Sequence, residues 1–405
     1  CYKGIVLKQN KMNCFFKILI VGLLFSNVIS AQETNVTPIQ NSGLQLEKPL
    51  INQSKKLALL LPFNLNKVQN DTINSVVDRL KKDKFLNMTL DFYSGALVAI
   101  DSAKQLGVSV DVSVFDSEET KNSSNVAKLI ADRHLENFSA VIGPFYQTNV
   151  EKTAELLSAN QVAVISPLSK EMGKSYPNLF QTITPTSLLR SAIFDFMRSK
   201  NGNVIAVVDK KKVSVKKYIV ENQKDVRFAT LDATGALNVV SLKALLVKNK
   251  INYVVMETAN TSMIKATITA LLSVQPMYNV QLVILEPNET LDTDEIEFAN
   301  LVQLKLLYPS MTRENNSPEA VIFEKNYKLK NKVTPNAFAT RGFDVTFDAL
   351  MRLSQSNSYF ESASTQVTEQ VESKFDYFKN DTGGFANKGL YLLYYDADLT
   401  VKAAK

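Results

Sequence analysis

From residue 55 onward, short apolar runs alternate with stretches of helical spacing. Leu57-Ala-Leu-Leu-Leu61 is apolar throughout and is stopped by Pro62, which predicts a buried strand. Val108, Val110, Val112 and Val114 recur at the period of two that a strand requires. Residues 140–142 and 162–165 predict the next two strands. Between these runs the apolar residues take helical spacing. Phe92, Ala96, Ala99/Ile100 and Ala103 form one set, Val126, Leu129 and Ile130 a second, Ala154 and Leu157 a third. Apolar strands separated by helices predict an α/β fold with a parallel sheet covered on both faces.

The same texture then repeats. Residues 204–208, 226–231, 253–256, 280–285 and 304–307 predict strands, with helices at 188–197, 242–247 and 264–272. Each of the two βα sets is large enough for its own sheet. Such sheets present ligand-binding loops at the carboxyl ends of their strands, so two facing sheets would enclose a cleft. A further helix is predicted at 337–354, with Phe338, Phe343, Phe347, Leu350 and Met351 as its apolar content. Residues 355–381 are polar and carry no clear period. Gly383-Gly384 leads to a late strand at 389–395 that completes one sheet. No repeat of about 20–50 residues indicates a solenoid.

Ahead of this region, residues 1–32 carry Lys3, Lys8, Lys11 and Lys17 and no acid. An apolar run at 18–25 and a small-residue end follow, the layout of a secretory signal peptide, with cleavage expected near Ala31. The run is short of the roughly 20 residues a membrane span needs, so no span is expected in the mature chain. Met12 is the expected initiator, which makes 1–11 upstream translation. No cysteine stands at the cleavage point for lipid attachment. Residues 33–54, rich in Asn, Gln, Thr and Ser, read as a flexible leader. The expected location is the periplasm or cell envelope.

Composition narrows the chemistry. Hydrophobic residues make up 45% and charged residues 21% of the 405, ordinary for globular material. Both cysteines, Cys1 and Cys14, fall in the signal segment. The mature chain therefore has no thiol for a disulfide, a cysteine zinc site, an iron–sulfur cluster or a cysteine nucleophile. His134 is the single histidine, which excludes a multi-histidine metal site. Without the four leader lysines, 42 basic residues face 40 acidic ones. Lys210-Lys-Lys212 with Lys216-Lys217 is the one dense basic cluster. No aromatic ladder accompanies it, so it reads as a solvated face and no nucleic-acid partner is expected.

Phosphate-loop, dinucleotide, zincin and serine-hydrolase signatures are absent, and glycine is scarce at 13 residues. His134 reads as a helix-end surface residue, and the acid pairs Glu118-Glu119 and Asp292/Asp294 as solvated loop charge. The informative positions lie at strand ends: Asp116 after the second strand, Tyr146 and Thr148 after the third, Ser169 and Lys170 after the fourth. Hydroxyls and backbone N–H groups there suit a ligand carboxylate. On residue type, Thr148 and Ser169 serve equally well as caps. These five are the candidate ligand-binding residues. No catalytic, cofactor or metal-ligating residue is expected, and the protein is not expected to be an enzyme.

In their order and spacing, several segments resemble the type I periplasmic binding proteins, the leucine-binding-protein superfamily. They are residues 57–63, 92–100, 114–117, Val141-Ile-Gly-Pro144, Val164-Ile-Ser-Pro167, 177–182 and Arg341-Gly-Phe-Asp-Val-Thr346. The resemblance runs from about residue 55 to 405. It implies two Rossmann-like lobes joined by three crossovers that close on a ligand. It places 55–183 plus 309–353 in the first lobe and 184–308 plus 354–405 in the second. Thr148 matches the family's serine or threonine after the third strand. Lys170 stands where a threonine is expected, and Asp209-Lys-Lys-Lys-Val213 where a clamping tyrosine is expected. A lysine there either blocks an amino-acid site or pairs with a larger anion. The texture is similar to a cell-envelope subgroup often fused to peptidoglycan-binding lysin-motif repeats, and 33–54 is too short for such a repeat.

The expected function is therefore capture of a small ligand, nominally an amino acid or related compound, in an interlobe cleft without catalysis or cofactor. A membrane permease or the peptidoglycan machinery would be the larger partner. The alternative is a degenerate binding fold acting as an envelope protein- or peptidoglycan-interaction module.

Overall fold

The computed structural model describes residues 55–70, 75–171, 173–232, 235–381 and 383–405. The signal-peptide, initiator and leader readings at 1–54 lie outside the described residues. The first half of the fold is built on β1 (Lys55–Leu61), β2 (Val110–Asp116), β3 (Ala140–Ile142), β4 (Ala163–Ser166) and β5 (Leu179–Gln181), all parallel neighbours in the order β2-β1-β3-β4-β5. β1 is apolar throughout because both of its faces are covered. Leu57, Leu59 and Leu61 meet Phe92, Ala96 and Ile100 of α1 (Lys84–Gln105). Ala58 and Leu60 meet Val126 of α2 (Val126–Arg133) and Val150, Ala154 and Leu157 of α3 (Gln147–Leu157) on the other side. Each fully buried leucine contributes about 1.5–3 kcal/mol relative to exposure.

After α4 (Thr186–Ser199) a second sheet forms from β6 (Asn203–Val208), β7 (Arg227–Phe228), β8 (Asn252–Glu257), β9 (Val280–Val283) and β10 (Leu307–Ser310), in the order β7-β6-β8-β9-β10. It too is covered twice. Val204, Ala206 and Val208 pack on Ile193 and Phe194 of α4 and Ile219 of α5 (Val213–Asn222). Ile205 and Val207 pack on Ile264, Ile268 and Leu271 of α6 (Thr261–Val274).

The chain then returns to the first sheet through α7 (Pro318–Asn331) and α8 (Ala337–Gln355). α8 lies against α1 backbone to backbone. A Cβ on Gly95 would sit 1.8 Å from the Ala339 carbonyl oxygen, and one on Gly342 would sit 2.0 Å from that of Phe92. Only glycine allows this approach.

The expected lobe boundaries need correction. Pro309 and Ser310, placed with the first lobe, belong to β10 of the second sheet. Residues 354–387, placed with the second lobe, build onto the first. After the two-stranded β11 (Thr368–Glu369) and β12 (Lys374–Phe375), the strands β13 (Tyr377–Lys379) and β14 (Phe385–Asn387) extend the first sheet, β14 running parallel to β5. The cause is a set of buried charges on α8. Asp344 accepts the N–H groups of Val371, Glu372 and Ser373. Arg352, paired with Asp348 at 2.8 Å, donates to the carbonyls of Ser362 and Gln366 and to Thr368. These bonds keep the polar stretch beside its own helix. Only β15 (Tyr391–Tyr395) and β16 (Val401–Ala403) join the second sheet, antiparallel, so both sheets are mixed rather than purely parallel.

Two other strands differ from expectation. The run at 226–231 forms only Arg227–Phe228 as strand. The run at 304–307 shifts to Leu307–Ser310, because Leu304 closes the preceding helix with its N–H on Asn300. The crossovers between sheets run side by side. Thr184 donates to the Gly389 carbonyl, the Asn387 amide to that of Thr182, and Thr312 bridges Ser373.

Candidate functional site

At the carboxyl end of the first sheet the loops hold one another. Asp116 at the end of β2 accepts the N–H groups of Asn64 (2.9 Å), Leu65 (2.7 Å) and Glu118 (3.0 Å), which fixes the turn leaving β1. Beyond β3 the chain turns at Gly143, whose φ of 97° and approach to the Leu60 carbonyl demand glycine. The N–H groups exposed by this turn are those of Phe145 and Tyr146. Both donate to one carboxylate of the chain itself, that of Glu119, at 2.8 and 3.2 Å. Asn149 donates to Glu119 as well, at 2.8 Å. Glu119 is 1% exposed. Burial pushes its carboxyl above the ordinary range, while the bonds from Asn149, Phe145, Tyr146 and Ser117 pull it back.

This corrects the reading of Glu118-Glu119 as a solvated pair. Glu118 is half-buried and accepts from Asn66, whereas Glu119 fills the N–H groups that a ligand carboxylate would use. Sequence offered one cue: a chain turn that bares two N–H groups needs an acceptor, and an acid pair stands at a nearby strand end.

The other expected residues take internal partners too. Thr148 is exposed and donates to the Lys121 carbonyl at 2.7 Å. Ser169 accepts the N–H of Glu171 at 3.2 Å. Tyr146 is half-buried, with its ring stacked on Phe85 at 5.0 Å. Lys170 is exposed beyond β4. The structure thus gathers Asp116, Tyr146, Thr148, Ser169 and Lys170 at one end of the first sheet. Sequence missed Arg341, which donates to the Pro167 carbonyl, Thr182 and Ser373 and so joins the ends of β4 and β5 to the turn before β12. It also missed Gln147 and Gln181, which bond each other beneath the loops at 3.3 Å.

The carboxyl end of the second sheet is open. Residues from the ends of β6, β8 and β9 line a cavity of about 230 Å³, among them Lys212, Glu257, Thr258, Glu286, Asn288 and Thr290. Its polar side chains are mostly engaged. Thr258 donates to Asp209, Asn288 to the Thr258 carbonyl, and Thr290 to that of Ala259. The Lys211 N–H first, with the Thr258 hydroxyl and against burial, holds the Asp209 carboxyl below its usual range. Glu286 pairs with Arg190 at 2.5 Å. Glu257, 7% exposed, uses one oxygen to accept the Leu285 N–H at 2.8 Å. Its other oxygen has no hydrogen-bond partner among the described residues. Burial pushes this carboxyl up, opposed by the Leu285 N–H and by Lys212.

His134 ends α2 in the left-handed region and lies 3.1 Å from Glu136 on the surface. Among the described residues no group of three or more His, Cys, Asp or Glu is placed to hold a metal ion, and no helix is long and apolar enough to cross a membrane.

Comparison with known proteins agrees with this architecture. The profile of the receptor family ligand binding region matches residues 98–260. No curated protein sequence matches the chain. Among solved structures, a protein from Rhodospirillum rubrum provisionally described as a branched-chain amino acid ABC transporter superposes with a TM-score of 0.57 at 13% identity, over 87% of this chain and 100% of that one. A branched chain amino acid ABC transporter periplasmic ligand-binding protein from Burkholderia xenovorans does so with a TM-score of 0.50 at 10% identity, over 87% and 95%. At such identities the likeness is one of fold. The chain has the type I periplasmic binding protein fold, with two α/β lobes of seven mostly parallel strands each.

Proposed function

We propose that the protein is an exported, non-catalytic binding protein that captures a small ligand at the carboxyl end of its second sheet. The observation that carries this reading is the cavity of about 230 Å³ lined by the ends of β6, β8 and β9. Ligands of parallel α/β sheets bind at this end of the strands. The Burkholderia xenovorans neighbour is described as an ABC transporter's periplasmic ligand-binding protein, which fits a periplasmic carrier working with a membrane permease. In this reading Tyr146 is the first-lobe side chain that meets the ligand when the lobes close. Asp116, Thr148 and Ser169 serve the loops instead.

A thermal-shift screen against amino acids, small amines, short peptides and peptidoglycan fragments tests the proposal. A ligand that binds only the native state adds about 2.7 kcal/mol at a hundredfold excess over its dissociation constant. A shift with one small-molecule class is expected, and a flat response across the panel would overturn the reading.

A second reading, an envelope protein- or peptidoglycan-interaction module, is favoured by one observation. The N–H groups at the end of the first sheet are already filled by Glu119, so one side of a two-sided clamp offers fewer contacts. Co-sedimentation with purified peptidoglycan in the absence of any small-ligand shift would support it.

A further inference from the structure

The proposal rests on the second-sheet cavity being the ligand site, and it names the ligand's chemistry. Glu257 is a nearly buried carboxylate with one oxygen satisfied by Leu285 N–H and the other turned to the cavity without a hydrogen-bond donor among the described residues. The open oxygen is reached by solvent in the cavity, and an entering donor would replace that water. Lys212 lines the same cavity but forms no ion pair with Glu257, which lies farther than 4.0 Å from it. Glu286 and Glu289 add acidic charge to the wall; Glu286 is ion-paired with Arg190, while Lys212 and Arg190 act on Glu257 only through their charge. Among the described residues no cation is hydrogen-bonded or ion-paired to Glu257. The volume, about 230 Å³, suits a compact molecule.

The other half of amino-acid recognition is missing. The N–H groups and hydroxyl expected to hold a ligand carboxylate are used by Glu119 and by the Lys121 carbonyl. We infer that the cavity takes a small primary amine without a carboxylate, its ammonium group donating to the open oxygen of Glu257.

Titration calorimetry with butylamine and 1,4-diaminobutane tests this, with leucine, acetate and tetramethylammonium as comparisons. Binding of the two amines is expected, with leucine and acetate weaker. Tetramethylammonium carries the charge but no N–H, so it should bind weakly as well. Glu257→Gln keeps an acceptor for Leu285 N–H and should lower amine affinity roughly ten- to hundredfold, the range of a charge-assisted hydrogen bond. Lys212→Met removes the nearby like charge and should raise it severalfold. Unchanged amine affinity in a folded Glu257→Gln variant would overturn the assignment. Leucine binding tightly while amines do not would also overturn it, yet leave the cavity as the ligand site. No binding by any compound would remove both proposals together.

Discussion

Glu119→Ala separates the two adjacent glutamates that follow the second strand. Glu119 accepts Phe145 and Tyr146 N–H groups at 2.8 and 3.2 Å and the Asn149 amide at 2.8 Å, in a site 1% exposed. The Asn149 amide also reaches the Thr120 carbonyl at 3.0 Å, so it keeps a partner when the carboxylate is removed. Two buried backbone N–H groups are then left unsatisfied. At about 1–3 kcal/mol each, and with water able to enter the vacated space, the expected loss is about 3 kcal/mol. Glu118→Ala loses one bond, from Asn66 at 3.2 Å, and should cost less than about 1 kcal/mol. Urea unfolding followed by circular dichroism measures both, since the chain has no tryptophan to report by fluorescence. Acetate fits the space left by the Glu119 side chain and should raise the unfolding midpoint of Glu119→Ala while leaving wild type and Glu118→Ala unchanged. Equal losses for the two variants, or no acetate effect, would refute the role given to Glu119.

Other consequences are open to direct measurement. Gly342→Ala drives a methyl to 2.0 Å from the Phe92 carbonyl oxygen and should cost about 3 kcal/mol or more in urea unfolding, unless α1 and α8 separate freely. Arg352→Met strands the Asp348 carboxylate in a site where both partners are almost wholly buried, and a loss of about 3–5 kcal/mol is expected; a loss below that of exposed Lys265→Ala would contradict it. Asp344, pushed up to about 6 by burial against its bonds to Ser373 and Glu372 and the charge of Arg341, lies beside Glu372, pushed up to about 8 by burial and then by the charges of Asp344 and Glu314. Both folded values exceed those of the unfolded chain, so the native state holds protons that the unfolded chain has released. Their contribution is therefore fully present below about pH 4 and is lost as pH rises towards 8. Asp344→Asn should flatten the melting temperature across that window, and an unaltered profile would count against the pair. Thr148→Ala, losing one exposed bond to Lys121, should lower stability by about 1 kcal/mol or less and leave ligand affinity unchanged; a clear fall in affinity would return Thr148 to the site.

The legible parts of this fold are those whose pattern is set by neighbours in sequence. Leu57–Leu61 announces a strand covered on both faces because each of its residues must be apolar, whichever face it takes. The helices at Thr186–Ser199, Thr261–Val274 and Ala337–Gln355 carry their apolar stripes at a fixed spacing. Asn336 and Asn260 cap two of them within a few residues, so these too can be read locally. The α/β class and the use of two sheets follow from such signals. β5, three residues long, and Pro318–Asn331, with Val321 and Ile322 turned to solvent, gave no comparable pattern.

Tertiary structure alone decided where the polar residues went. Nothing in 355–381 announces its lobe, because the groups that hold it, Asp344, Asp348 and Arg352, lie on a separate helix and act through bonds to its backbone. Glu118 and Glu119 are the same residue type side by side, yet one faces a loop amide and the other fills two N–H groups across the sheet end. Glu257 ends an apolar strand and becomes a half-satisfied buried carboxylate only because Leu285 and the loops after β9 close around it. Apolar periodicity is a property of one element meeting a core. The fate of a charge depends on which donors the rest of the chain brings to it, and those come from residues remote in sequence.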